Sequence, residues 1–238
     1  MENIQQKGYK VPNFNTKVNL LKHILADKET YNKVLIFVAY KKMADRLFTA
    51  LETKFTDECT VIHSNKTQNY RLRSIRQFGE GFCRILVATD VMARGLDIES
   101  VSHVINFDTP SYPENYMHRI GRTGRAEKEG VSIVLTTEKE DEYLEQIENL
   151  MNKKIDQFEI PEEVEISTEL IPEEQPQAFE INNPVKRKKK EASGEAFHEK
   201  KEKNKKENLG GSYRREIAKK YKKPKTRGDK NYNRRNKK

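Results

Sequence analysis

Val34-Leu35-Ile36-Phe37-Val38 is an unbroken apolar run of five residues, too short for a buried helix and too continuous for a strand with one wet face. A run of this kind suits a strand covered on both sides, as in a parallel sheet wrapped by helices. Residues 59–62, 84–88 (Arg-Ile-Leu-Val-Ala), 103–107 and 131–135 (Val-Ser-Ile-Val-Leu) share the pattern. Helical spacing fills most of the gaps between them. Thr16 can cap a helix whose face is Val18, Leu21 and Leu25; Met43, Leu47, Ala50 and Leu51 recur at helical intervals; Leu72 and Ile75 do so after a cap at Thr67. A last helix opens on Glu138, Glu140, Asp141 and Glu142 and closes on Lys153 and Lys154, the order that complements the helix dipole. Strand and helix in alternation predict an α/β fold, a parallel sheet flanked by helices.

Charge divides the chain into three. Residues 1–158 hold 23 Lys+Arg against 22 Asp+Glu, residues 159–183 none against 8, and residues 184–238 23 against 7, within a total of +9 at pH 7. The near-neutral first stretch is the one expected to pack. Pro161, Pro172 and Pro176 punctuate the acidic stretch, which reads as a linker unable to bury enough surface to offset its chain entropy. The basic tail is nearly free of aliphatic residues, with Leu209 and Ile217 among the exceptions, and is expected to be disordered by itself, with room for a short helix over residues 214–223. Cys59 and Cys83 lack C-x-x-C spacing, and the five histidines are scattered, so two buried thiols in a reducing compartment and no metal site are expected. No apolar run approaches the roughly 18 residues of a membrane span, and Met1 to Lys10 is too polar for a signal peptide. A soluble, cytoplasmic protein follows, with no membrane partner.

Chemistry concentrates in His118-Arg119-Ile120-Gly121-Arg122-Thr123-Gly124-Arg125, which follows Arg94-Gly95-Leu96-Asp97. On a helix starting near Pro113, residues 118, 122 and 125 share a face, with Arg119 turned aside. The two glycines cost about 1 kcal/mol each against alanine in a helix, and close backbone approach to a bound group would explain them. Three arginines and a histidine could grip a nucleotide there. Asp97 follows Gly95 at a strand's carboxyl end, where open parallel sheets bind ligands; alone, it would equally suit a helix cap or turn.

The eight residues resemble the last motif of the DEAD-box RNA helicases. Ala88 to Ile98 (Ala-Thr-Asp-Val-Met-Ala-Arg-Gly-Leu-Asp-Ile) is similar to the family's preceding motif, and Val104-Ile105-Asn106-Phe107-Asp108-Thr109-Pro110 to the strand between the two. His63 followed by Gln68 and Arg71 resembles the family's H-G-x-x-x-Q-x-x-R stretch, with Ser64 where glycine is usual. Leu35 to Val38 and the helix after them resemble the motif that opens the second helicase domain. The resemblance covers about Val11 to about Ile155 and points to the RhlE-like bacterial branch. No G-x-x-x-x-G-K-[ST] phosphate loop and no D-E-A-D run occurs.

The resemblance implies a RecA-like second helicase domain over residues 1–158, an acidic linker over 159–183 and an RNA-binding tail over 184–238. ATP and Mg²⁺ would be held mainly by a first helicase domain, in cis or in trans, that this chain does not contain. Arg122 and Arg125 would be arginine fingers toward the transferred phosphoryl group, Gly95 and Asp97 would meet ATP through its ribose hydroxyl, and His118 and Arg119 would tie the two domains together. Gln68, Arg71, Thr89 and Arg94 would hold the RNA backbone, contacts that keep register without reading sequence. In the tail, Lys188 within Lys186 to Lys190, with Tyr213, Tyr221 and Tyr232, combines counterion release with stacking faces; a solubilising tail or a localisation signal at 186–190 are the other readings. The expected whole is a monomeric half of an ATP-dependent RNA helicase that opens short duplexes locally and is inactive by itself. The alternative is a non-enzymatic RNA-binding or annealing protein working through its tail, which would need no nucleotide hydrolysis.

Overall fold

Apolar runs become inner strands only if both of their faces are covered, and the topology supplies that cover. In the computed structural model the elements are β1 (Ile4–Lys10), α1 (Phe14–Ile24), β2 (Val34–Val38), α2 (Lys41–Glu52), β3 (Cys59–Ile62), α3 (Gln68–Gly79), β4 (Ile85–Thr89), α4 (Asp90–Ala93), β5 (His103–Asn106), α5 (Pro113–Ile120), β6 (Gly130–Thr136), α6 (Asp141–Met151) and β7 (Asp156–Phe158). The structure describes residues 4–93, 98, 101–124, 130–175 and 220. Two compact units divide the chain, Met1–Gln177 and Ala178–Lys238. The sheet and its helices belong to the first. The tail expected to be disordered, with Lys188, Tyr213 and Tyr221, lies outside the described residues apart from Lys220, as do Arg94, Gly95, Asp97 and Arg125.

Seven strands form one sheet in the order β3-β4-β2-β5-β6-β1-β7, every pairing parallel. Strand β2 lies between β4 and β5, with Val34 opposite both Ile85 and His103. Its side chains alternate between two layers. Val34, Ile36 and Val38 pack with Val18 and Leu21 of α1 and Ala44, Leu47 and Leu51 of α2, while Leu35 and Phe37 meet Phe78 of α3 and Leu86 and Ala88 of β4. A third cluster joins Ile4, Val134, Tyr116, Ile120, Ile147 and Ile155 under α5 and α6. Each such aliphatic side chain, fully buried, contributes about 1.5–3 kcal/mol.

Several local expectations shift. Helix α1 is capped by Asn13, whose Oδ1 accepts from the Thr16 amide at 2.9 Å and from its hydroxyl at 2.9 Å, because α1 starts two residues before Thr16. Thr67 caps α3 as expected, accepting from the Tyr70 amide at 3.3 Å. The buried stripe of α3 is Ser74 and Phe78, and Leu72 stays 55% exposed, since α3 covers the end of the sheet near edge strand β3 and needs only a narrow apolar face. Helix α6 starts after a Thr137/Glu140 capping box and stops at a left-handed Asn152 (φ 49°), leaving Lys153 and Lys154 past its end. Cys59 and Cys83 are buried free thiols, and burial pushes both of them up. No described helix is long and apolar enough to cross a membrane.

The packed body does not end at residue 158. Residues 160–174 run along α1 and α2, with Val164 and Ile171 each 6% exposed in the same layer. Three asparagines near or on α1 hold the backbone of this strap: Asn13 Nδ2 donates to Ser167 O (2.5 Å), Asn15 Nδ2 to Glu169 O (3.0 Å) and Asn19 Nδ2 to Glu165 O (2.9 Å). The Ser167 amide returns a bond to Thr16 Oγ1 at 3.0 Å. Prolines and acids made this segment read as an unpacked linker. Two apolar anchors, side-chain partners for its backbone and the Glu174 carboxylate, which accepts from the amides of Phe14 (2.6 Å) and Ile171 (3.2 Å), are enough to seat it while Glu162, Glu163, Glu165 and Glu169 stay exposed.

His103 opens β5 with its ring 4.2 Å from that of Tyr31, and burial, then the Lys7 charge, lowers its pKa from 6.5 to about 4. The unfolded chain therefore takes up this proton first as pH falls from 6.5 toward about 4, and stability is lost over that window. Urea midpoints compared at pH 7 and pH 4.5 should fall more for the native chain than for His103→Gln. Parallel losses in the two would remove His103 from the acid response.

Candidate functional site

Parallel strands send their carboxyl ends to one edge, and loops at that edge collect the side chains that chemistry can use. Here the edge carries Ala39 and Tyr40 after β2, Asp90 after β4, Asp108 to Pro110 after β5 and Thr137 to Glu140 after β6. A cavity of about 740 Å³ opens among them, with Phe14, Lys17 and Arg119 in its wall.

Arg119 organises this edge. It is 2% exposed. Its Nε and Nη2 donate to the two carboxylate oxygens of Asp90 at 2.7 and 2.8 Å, its Nη1 donates to Asn106 Oδ1 (3.0 Å) and to the Asp108 carbonyl (2.8 Å), and its guanidinium lies 5.1 Å from the Phe37 ring centre. Arg119, expected to tie the two helicase domains together, clamps the ends of β4 and β5 within its own domain. Asp90, Asn106 and Asp108 were visible in the quoted motifs, but nothing in their spacing announced a common partner.

The arginine run is not one helical face. Helix α5 ends at Ile120, and the chain turns through Gly121 to Gly124, where φ reaches +68°. That left-handed backbone explains Gly124 without any ligand. Thr123 Oγ1 fastens the turn to Val101 O at 2.6 Å. A Cβ on Gly130 would sit 2.4 Å from the Gly124 nitrogen, so the start of β6 presses on the turn. Arg122 is therefore held by a tight turn, half-buried, and its side chain has no hydrogen bond or ion pair to another described residue. His118 is exposed on α5.

On the next part of the edge, Arg71 donates to Gln68 Oε1, so these two side chains stand together on α3. Thr89 ends β4 at 8% exposure, which leaves little of it open to a ligand. Ser64 needs no glycine's freedom, because Asn152 is the described non-glycine residue with positive φ. The loop is pinned instead by His63, 1% exposed, whose Nε2 lies 2.9 Å from Asp45 and whose Nδ1 accepts from the Asn65 amide at 3.3 Å.

A second polar knot was not legible in the sequence. Lys17, 3% exposed, donates to Glu140 Oε2 and to the Phe107 carbonyl, both at 2.7 Å, with Asp108 Oδ1 at 3.8 Å. Glu140 also accepts from the amides of Thr109 (3.0 Å) and Thr137 (2.9 Å). Burial pushes the Asp108 carboxyl up against the pull of Lys17. Asp90, Asp108 and Glu140 are thus already partnered, and no group of three His, Cys, Asp or Glu side chains that could hold a metal gathers among the described residues. The described residues offer no set of ligands that fits Mg²⁺.

A family model described as the helicase conserved C-terminal domain matches residues 16–127. The DEAD-box ATP-dependent RNA helicase CshA of Bacillus cereus is 41% identical over 162 residues, which cover 68% of this chain and 30% of that protein. The chain thus spans less than a third of that curated relative. Among solved structures, a chain in the crystal structure of the E. coli DEAD-box protein SrmB bound to regulator of ribonuclease activity A matches with a TM-score of 0.64 and 32% identity, covering 71% of this chain and 97% of that one. The C-terminal domain of the DEAD-box protein Dbp5 matches with a TM-score of 0.60 and 32% identity, covering 66% and 91%.

Proposed function

The chain belongs to the DEAD-box RNA helicase family, of which it spans the RecA-like C-terminal helicase domain, and from that premise we propose that its carboxyl edge completes an ATP site on a first helicase domain while gripping RNA. The observation that supports this most is the Arg119–Asp90 clamp, which ties the two motif stretches, ending β4 and ending α5, into one rigid edge. Arg122 is the candidate finger: a fixed guanidinium with forked donors suits the equatorial oxygens of a transferred phosphoryl group. Arg125 is proposed for the same task, and Gly95 and Asp97 for the ATP ribose; these three lie outside the described residues. His118, exposed beside the turn, is proposed to face the first domain.

RNA is proposed to cross the other part of the edge, with Arg71, oriented by Gln68, and Arg94 on phosphates, and Thr89 contributing at most its small exposed surface. Lys188, Tyr213 and Tyr221 in the basic tail would add salt-sensitive contacts. Local duplex opening, a monomeric state and a cytoplasmic setting belong to this same reading. The RhlE-like branch also stays a proposal, since the curated relative named above is a CshA protein.

Phosphate release tests the proposal. The chain alone, lacking a phosphate loop, is expected to show negligible RNA-stimulated ATP hydrolysis, and addition of a first domain from a CshA-type relative is expected to produce it. Turnover by the chain alone that survives repurification, or silence in the reconstituted pair, would overturn the reading.

A further inference from the structure

Glu173 stands where two cations of α2 converge. Lys42 Nζ lies 2.5 Å from its Oε1, and Arg46 Nη2 lies 3.3 Å from its Oε2. Lys42 and Arg46 are four residues apart and share a face of α2, whose first turn holds no acidic residue and begins at the carboxyl end of β2. Arg46 Nη2 also donates to Oε1 at 3.5 Å, so an ammonium and a guanidinium converge on one carboxylate, an arrangement that the non-bridging oxygens of a phosphodiester would accept equally well.

The contact is built to be exchanged. Lys42 is 71% and Glu173 34% exposed at the side chain, so water, salt and competing anions all reach the pair. The strap's firm hold is elsewhere: Val164 and Ile171 are its buried anchors, and Asn13, Asn15, Asn19 and Thr16 hold its backbone. Among the described residues, Glu173 supplies the strap's ion pairs. Its carboxylate can therefore leave while the strap stays seated on α1. The Lys42 hydrogen bond holds the Glu173 carboxyl below the usual range, so it competes as an anion at neutral pH.

We propose that Lys42 and Arg46 form a binding site for a phosphate of the RNA backbone, and that Glu173 of the chain's own strap fills that site until RNA displaces it. This rests on the reading of the carboxyl edge as an RNA grip.

The test measures dissociation constants for a fluorescein-labelled oligouridylate at several salt concentrations, on the full chain and on the chain cut after Asn183. The cut leaves every described core cluster whole. Glu173→Ala is expected to tighten binding about threefold to tenfold, the scale of one charge-assisted contact, and to steepen the salt dependence by about 0.7 log units per tenfold salt, as one more phosphate contact would. Glu163→Ala, an equal change of charge at an exposed strap residue, should do distinctly less. With Lys42→Ala or Arg46→Ala in place, the gain from Glu173→Ala should vanish. Equal effects of Glu173→Ala and Glu163→Ala, or a gain that survives loss of both cations, would overturn the latch. If Arg71→Ala weakens binding while Glu173→Ala is silent, the latch alone falls. If the cut chain binds no RNA in any form, the RNA reading of the edge falls with it.

Discussion

Replacing Arg119 by alanine is expected to lower the stability of the domain by about 3–5 kcal/mol, the usual cost of breaking a buried ion pair from one side. The Asp90 carboxylate would lose both of its forked donors, and the buried Asn106 amide and Asp108 carbonyl would lose theirs. At about 2–4 °C per kcal/mol for a body of this size, Tm should fall by about 6–20 °C. Lysine should recover little, because one ammonium cannot span Asp90, Asn106 and Asp108 together. Asp90→Ala combined with Arg119→Ala should cost less than the two single changes summed, since the second removes a partner already lost. Urea unfolding of the four forms checks this. A loss below about 1 kcal/mol for Arg119→Ala, the size of an exposed pair, would mean that the clamp is not under strain from burial.

Arg122→Ala, three residues along, should behave in the opposite way. Its side chain has no hydrogen bond or ion pair to another described residue, so stability should change by less than about 0.5 kcal/mol, as at ordinary surface sites. In a fusion with a matching first helicase domain, kcat for RNA-stimulated ATP hydrolysis should fall by about 10³-fold or more, the scale set by other arginine fingers. Lysine should rescue poorly, because a point charge lacks the fork that meets two phosphoryl oxygens. Steady-state kinetics and urea unfolding on the same preparations separate the two arginines. An unchanged kcat would withdraw the finger assignment, and a large loss of stability would place Arg122 with Arg119 as a structural residue.

The inner strands were legible because burial on both faces writes itself as an unbroken apolar run: Val34 to Val38 needs no knowledge of its neighbours to be read. Strands β1 and β7 were not. The inward positions of β1 are Ile4, Gln6 and Gly8, and Gln6 is satisfied there by the Tyr116 hydroxyl, 110 residues away, at 2.8 Å. Strand β7 is exposed throughout, so its sequence carries no pattern of burial. The same limit applies to the strap, whose two anchors are spaced too far apart to show periodicity.

At the proposed site, residue types and motif order pointed to the carboxyl edge, because clustered arginines at strand and helix ends suit phosphate chemistry. Which arginine is locked, and which has no side-chain partner among the described residues, was decided by tertiary structure alone. Helix α5 ends between Arg119 and Arg122, and the carboxylate that captures Arg119 arrives from Asp90, just after β4 and 29 residues earlier in the chain. Lys17 reads as a solvated helix residue until β5 and the Thr137/Glu140 turn close over it. A local pattern records what a segment can do by itself; the partner of a buried charge depends on which strands the sheet has placed side by side.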